Sequence, residues 1–118
     1  YWANRDLSGQ PSLVRNDTTV DFGWGTGPAA AGLPKDNFSA RWTRQVTFSR
    51  GVYRLYAWAD DGIRVRVGDQ WVLNEWHTAS NEVYSVDLSL DGSRRVTVEY
   101  YEQGGDARVR FWWKRIGD

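Results

Sequence analysis

Five consecutive residues constrain the fold of this chain more than any other feature. Ile63, Arg64, Val65, Arg66 and Val67 alternate apolar and charged. A period of two buries one face of an extended segment and leaves the other in water. Gly68-Asp69 follows as a two-residue hairpin turn, with Gln70 to Asn74 as the returning strand. The same alternation marks Tyr84 to Leu90, with Tyr84, Val86, Leu88 and Leu90 on one face. Asp91-Gly92 reads as the next hairpin turn, and Val96, Val98 and Tyr100 as the inward positions of its return. A turn over residues 103–106 leads to Arg108 to Trp112, with Val109 and Phe111 inward. Upstream, Gly51 to Ala59 follows a turn at Ser49-Arg50-Gly51 and is expected to pair with Ala40 to Phe48. No segment has a helical period. The expected architecture is all-β, an antiparallel sandwich or barrel-like single domain over residues 1–118.

One stretch breaks the pattern. DFGWGTGPAAAGLPKDNF, from Asp21 to Phe38, holds four glycines and two prolines, which no central strand tolerates. It reads as a long ordered loop pinned to the core by Trp24, Leu33 and Phe38. The strand pattern opens at once with Tyr1-Trp2, so the unit is expected to be a monomeric module excised from a larger multidomain protein.

Composition removes several functions. With no cysteine there is neither a disulfide framework nor a thiolate site, and His77 alone cannot build a multi-histidine zinc site. Fifteen basic residues balance fifteen acidic ones, without the basic footprint of a nucleic-acid module. No apolar run approaches the roughly 18 residues of a membrane span. One imidazole and no GxSxG elbow argue against a hydrolytic triad. The neighbours Asp60 and Asp61 cannot flank a glycosidic bond, although Glu99 and Glu102 stand as a carboxylate pair of unfixed separation. No enzymatic activity is expected. Aromatic residues make up 15% of the chain, eight of them tryptophan, a content that suits both cores and sugar sites.

Two turns are rich in oxygen. Asp60-Asp61-Gly62 joins two expected strands, and Glu102-Gln103-Gly104-Gly105-Asp106 forms a hairpin tip. Each is ordinary turn chemistry by itself. Together they offer a calcium site, since calcium takes six to eight oxygens from carboxylates, amides and carbonyls. Neighbouring strand side chains point to opposite faces, so both aspartates reach one ion only if the backbone between them departs from strand geometry, as a cis peptide does. If the turns meet, Asp60, Asp61, Gln103 and Asp106 hold the ion, Gly104 or Gly105 adds a carbonyl, and the open positions suit neighbouring hydroxyls of a sugar. His77 is a candidate for a hydrogen bond to that sugar, although a solvated loop histidine is the plainer expectation. Trp76 is expected to pack in the core, and Tyr100 and Tyr101 to point to opposite faces, one into the core and the other nearer solvent. Arg64, Arg66, Arg108 and Arg110 are expected to share one solvated face.

These segments together resemble the protective-antigen fourteen-kilodalton domain family. YWANRDLSG is similar to its opening strand and turn, DFGWGTGPAAAGLPKDNFSARWT to its loop and following strand, GVYRLYAWADDGIRVRVGDQWVLNEW to its central strands and VEYYEQGGDARVRFWW to its closing hairpin. The resemblance implies a β-barrel-like sandwich. It also implies that Asp60 and Asp61 match the cis Asp-Asp pair with which lectin members bind calcium, with the Glu102–Asp106 segment as the completing loop. The implied function is a calcium-dependent lectin or adhesin module that recognises terminal sugars, outside a bacterial cell. Members without a sugar role leave a structural or protein-interaction domain, or an accessory domain of a glycosidase, as the alternatives.

Overall fold

A computed structural model describes residues 1–14, 17, 20–25, 33–34, 36–77, 82–104 and 107–117. Its strands are β1 (Val20–Gly25), β2 (Phe38–Asp60), β3 (Gly62–Val67), β4 (Gln70–Glu75), β5 (Glu82–Glu102) and β6 (Ala107–Gly117). They form one antiparallel sheet in the order β1-β6-β2-β5-β3-β4. Among the described residues no helix is long and apolar enough to cross a membrane.

Two of the expected hairpins do not form. Ala40 to Phe48 and Gly51 to Ala59 do not pair with each other; both lie in β2, and both pair with β5. Asp91-Gly92 is likewise no hairpin turn, because β5 runs straight through it. Phe48 pairs with Gly92, and after a register shift Gly51 pairs with Leu90. That irregularity supplies the turn residues read from the sequence, including a positive φ of 85° at Gly92, which glycine adopts without a Cβ clash. It also flips the inward parity of β2. Phe38, Ala40 and Phe48 face the core before it, and Tyr53, Leu55, Ala57 and Ala59 after it. An extra residue in one strand has this effect when side chains alternate. The two halves of the β2–β5 ribbon thus close on one core with Ile63, Val65, Val96, Val98, Tyr100 and Val109, giving the barrel-like sandwich.

The glycine-rich segment is part strand. Val20–Gly25 is β1, at an edge of the sheet, where its glycines are tolerated. Leu33 and Phe38 are buried, and Trp24 packs against the core cluster, as expected. Residues 26–32 and 35 lie outside the described residues. Tyr100 and Tyr101 point to opposite faces, Tyr100 into the core and Tyr101 nearer the surface, where it is covered by Trp76 at 4.8 Å between ring centroids. Trp76 itself packs on the outer face rather than in the core. The four arginines do not form one stripe. Arg64 and Arg66 stand on β3, Arg108 and Arg110 on β6, with β2 and β5 between them.

Candidate functional site

β2 ends at Asp60 and β3 begins at Gly62, and the Asp60-Asp61 peptide is cis. β5 ends at Glu102 on the neighbouring strand. The β3–β5 register brings these ends together, with Gly62 beside Tyr101. The main-chain N–H of Asp61 donates to the Tyr101 carbonyl at 3.3 Å. The main-chain N–H of Gln103 donates to Asp61 Oδ2 at 2.7 Å. Gly62 lies so close to the Tyr101 ring that a Cβ there would overlap it. The two oxygen-rich turns therefore meet at one rim of the sandwich.

Asp60, Asp61 and Glu102 each place a carboxylate oxygen within 4.8 Å of the others. Asp61 is 3% exposed and Glu102 0%. Glu102 Oε1 is buried without a hydrogen-bond partner. The Tyr100 hydroxyl lies 2.5 Å from the main-chain oxygen of Asp60 and 3.2 Å from Glu102 Oε2, so one phenolic proton serves two acceptors. Burial, then the charges of Asp61 and Asp60, push the Glu102 carboxyl up to about 8, against the pull of the Tyr100 hydrogen bond. Burial and the Glu102 charge also push the Tyr100 phenol far up. Without a cation, this rim is a set of crowded like charges that favours holding a proton.

The donor set fits a hard divalent ion. It is all oxygen and mostly carboxylate, which suits calcium or magnesium over zinc or copper. The orphaned, buried Glu102 Oε1 is an acceptor that an ion would satisfy. Glu102 was not among the candidate ligands in the sequence, yet a signal was present. It continues the inward series Val96, Val98, Tyr100, and a carboxylate on the core face of a strand needs a partner.

The other candidates divide. Gln103 and Gly104 are exposed at the end of β5 beside the carboxylates. Gly105 and Asp106 lie outside the described residues. His77 is exposed; its Nε2 lies 2.7 Å from Glu75 Oε2 and its ring meets Tyr84 edge-on. It is not among the three clustered acids.

The PA14 domain family model matches residues 1–117. The chain belongs to the PA14 domain family. This PA14 domain is 31% identical over 117 residues to anti-sigma-I factor RsgI3 of Acetivibrio thermocellus, an alignment covering 96% of the chain and 18% of that protein. It thus spans less than a fifth of the curated relative it matches. A solved anti-sigma factor domain-containing protein superposes with a TM-score of 0.91 at 30% identity, over 97% of this chain and 41% of that one. A PA14 sugar-binding domain from an RTX adhesin superposes with a TM-score of 0.63 at 22% identity, over 82% of this chain and 67% of that one, a likeness of fold.

Proposed function

We propose that this PA14 domain is a calcium-dependent carbohydrate-binding module. One observation carries the reading: Asp60, Asp61 and the buried Glu102, whose Oε1 has no hydrogen-bond partner, converge within 4.8 Å at a rim closed by the Gln103–Asp61 hydrogen bond. Calcium relieves the crowding of charge and gives Glu102 Oε1 a partner. Gln103 and Gly104, exposed at the end of β5 beside the carboxylates, complete the ligand set. Protein oxygens on one side leave positions open on the other, and vicinal hydroxyls of a terminal sugar fill them in place of water. The resemblance to lectin members, and the likeness in fold to an adhesin's sugar-binding domain, support the same reading.

Affinity for one monosaccharide is weak, because an open rim buries few ligand atoms, and copies displayed on a surface gain through multivalency. The expected setting is outside a bacterial cell. The likeness to anti-sigma factor proteins favours a second reading, a protein-interaction module within a regulatory chain. Calorimetry with glucose, galactose, mannose, fucose and arabinose, in calcium and in chelator, separates the two. Sugar binding that appears with calcium and vanishes with chelator supports the module proposed. Binding unaffected by chelator rejects its mechanism, and no binding to any sugar favours the second reading.

A further inference from the structure

The outward face of β2 leads toward the rim. Tyr56 and Trp58 stand between the buried Leu55, Ala57 and Ala59. On β6, Trp112 pairs with Tyr56, Arg110 with Trp58 and Arg108 with Asp60. The Tyr56 and Trp112 rings stack at 5.0 Å and 9°. Arg110 lies over Trp112 at 4.4 Å and Arg108 over Trp58 at 5.9 Å. A cleft of about 290 Å³ opens here, lined by Trp58 and Arg108 together with Asp21, Phe22 and Gly23 of β1. Gly23 borders open space there, since a Cβ on it would meet nothing within 4 Å.

We propose that this cleft is a second sugar subsite, holding the residue next to the terminal sugar bound at the Asp60–Asp61–Glu102 rim. The inference rests on the calcium-lectin reading and extends it to a ligand class, oligosaccharides of two or more units. The volume is at the lower bound of ligand pockets, suited to a single sugar ring. An indole face receives the apolar face of a pyranose. The Arg108 guanidinium donates to hydroxyls, and the Asp21 carboxylate accepts from them. Continuity fixes the occupant. Arg108 and Asp60 are cross-strand partners, with Cα atoms about 5 Å apart, so a sugar in the cleft neighbours a sugar at the rim.

The test is calorimetry in calcium with gluco-, galacto-, manno- and xylo-oligosaccharides of one to three units. In at least one series the dimer or trimer binds about tenfold more tightly than the monosaccharide, equal to about 1.4 kcal/mol. Arg108→Ala, Trp58→Ala and Gly23→Leu, the last filling the cleft, reduce the trimer to the affinity of the monosaccharide. Arg108 and Gly23 are exposed, so the test stands if Trp58→Ala does not fold. Calcium-dependent monosaccharide binding with no gain from length overturns the subsite alone, as does a gain that survives Arg108→Ala and Gly23→Leu. Absence of calcium-dependent binding to every sugar overturns the underlying reading, and the subsite with it.

Discussion

The main-chain N–H of Gln103 donates to Oδ2 of Asp61 at 2.7 Å, across 42 residues of sequence. This hydrogen bond ties the turn that ends β2 to the turn that ends β5. It also orients the Asp61 carboxylate, which clusters with those of Asp60 and Glu102.

Asp61→Asn separates charge from geometry. The amide oxygen still accepts from Gln103, so the turns stay joined, while one negative charge leaves the rim. Calcium affinity is expected to fall by at least about tenfold, or about 1.4 kcal/mol, with an unchanged far-ultraviolet spectrum. Calcium titration calorimetry measures it, and wild-type affinity in the variant would count against Asp61 as a ligand.

Glu102→Gln acts in opposite directions with and without the ion. Without it, the wild-type site buries a carboxylate oxygen that has no partner, which costs stability. A neutral amide relieves that cost and donates toward the aspartates. Above about pH 8, where the Glu102 carboxyl is ionised in the fold, the melting temperature in chelator is expected to rise by about 4 °C, the shift for about 1 kcal/mol in a domain of this size. The upward shift that calcium gives the wild type shrinks in the variant. Scanning calorimetry in both conditions reads both effects, and a lower melting temperature in chelator would contradict them.

The pH dependence follows from the same carboxyl. Glu102 is held up to about 8 in the fold, from an ordinary value of 4.5. The folded state therefore binds this proton more tightly than the unfolded state does. Its stabilisation is fully present below about pH 4.5 and is lost as pH rises to about 8. In chelator, urea melts are expected to show Glu102 lowering stability across that window. The fall is smaller in Glu102→Gln, and smaller in the wild type with saturating calcium, where the ion replaces the proton. Equal slopes in wild type and variant would contradict the assignment.

Glu99 should matter for stability alone. It is 3% exposed and takes Arg41 Nε and Arg64 Nε on separate oxygens, each at 2.6 Å. Arg64 in turn lies over Trp76 at 4.2 Å and Trp71 at 4.8 Å. Glu99→Gln is expected to destabilise by about 2 kcal/mol, the scale of a charged hydrogen bond lost at a buried acceptor, with calcium affinity unchanged. Urea melts with calcium titration test both halves.

Much of this was legible in the sequence, and the misses have physical causes. The Ile63–Val67 alternation and its Gly68-Asp69 turn stand as read, because local pattern and turn chemistry agree there. Gly68 has the positive φ, 59°, that the turn requires. Asp91-Gly92 carries the same chemistry, yet serves an irregularity in a ribbon whose partner lies some forty residues away. Local residues cannot report which distant strand they face. The Asp60-Asp61 pair was legible as two adjacent carboxylates in a turn, whereas its meeting with the Gln103 turn was legible only through the family resemblance, since local residues do not report which distant turn they face. Glu102 was missed because it sits among turn residues, while its strand parity already pointed it inward. The cleft beside Trp58 requires β1 next to β6, an adjacency that no local pattern encodes.

The most direct measurement is a crystal structure of the domain grown with calcium and a bound monosaccharide, with calcium located by its anomalous signal. The account predicts one ion about 2.3 to 2.6 Å from oxygens of Asp60, Asp61 and Glu102, with two sugar hydroxyls on its open side. A sugar bound away from that rim, or a rim without an ion at saturating calcium, would contradict it.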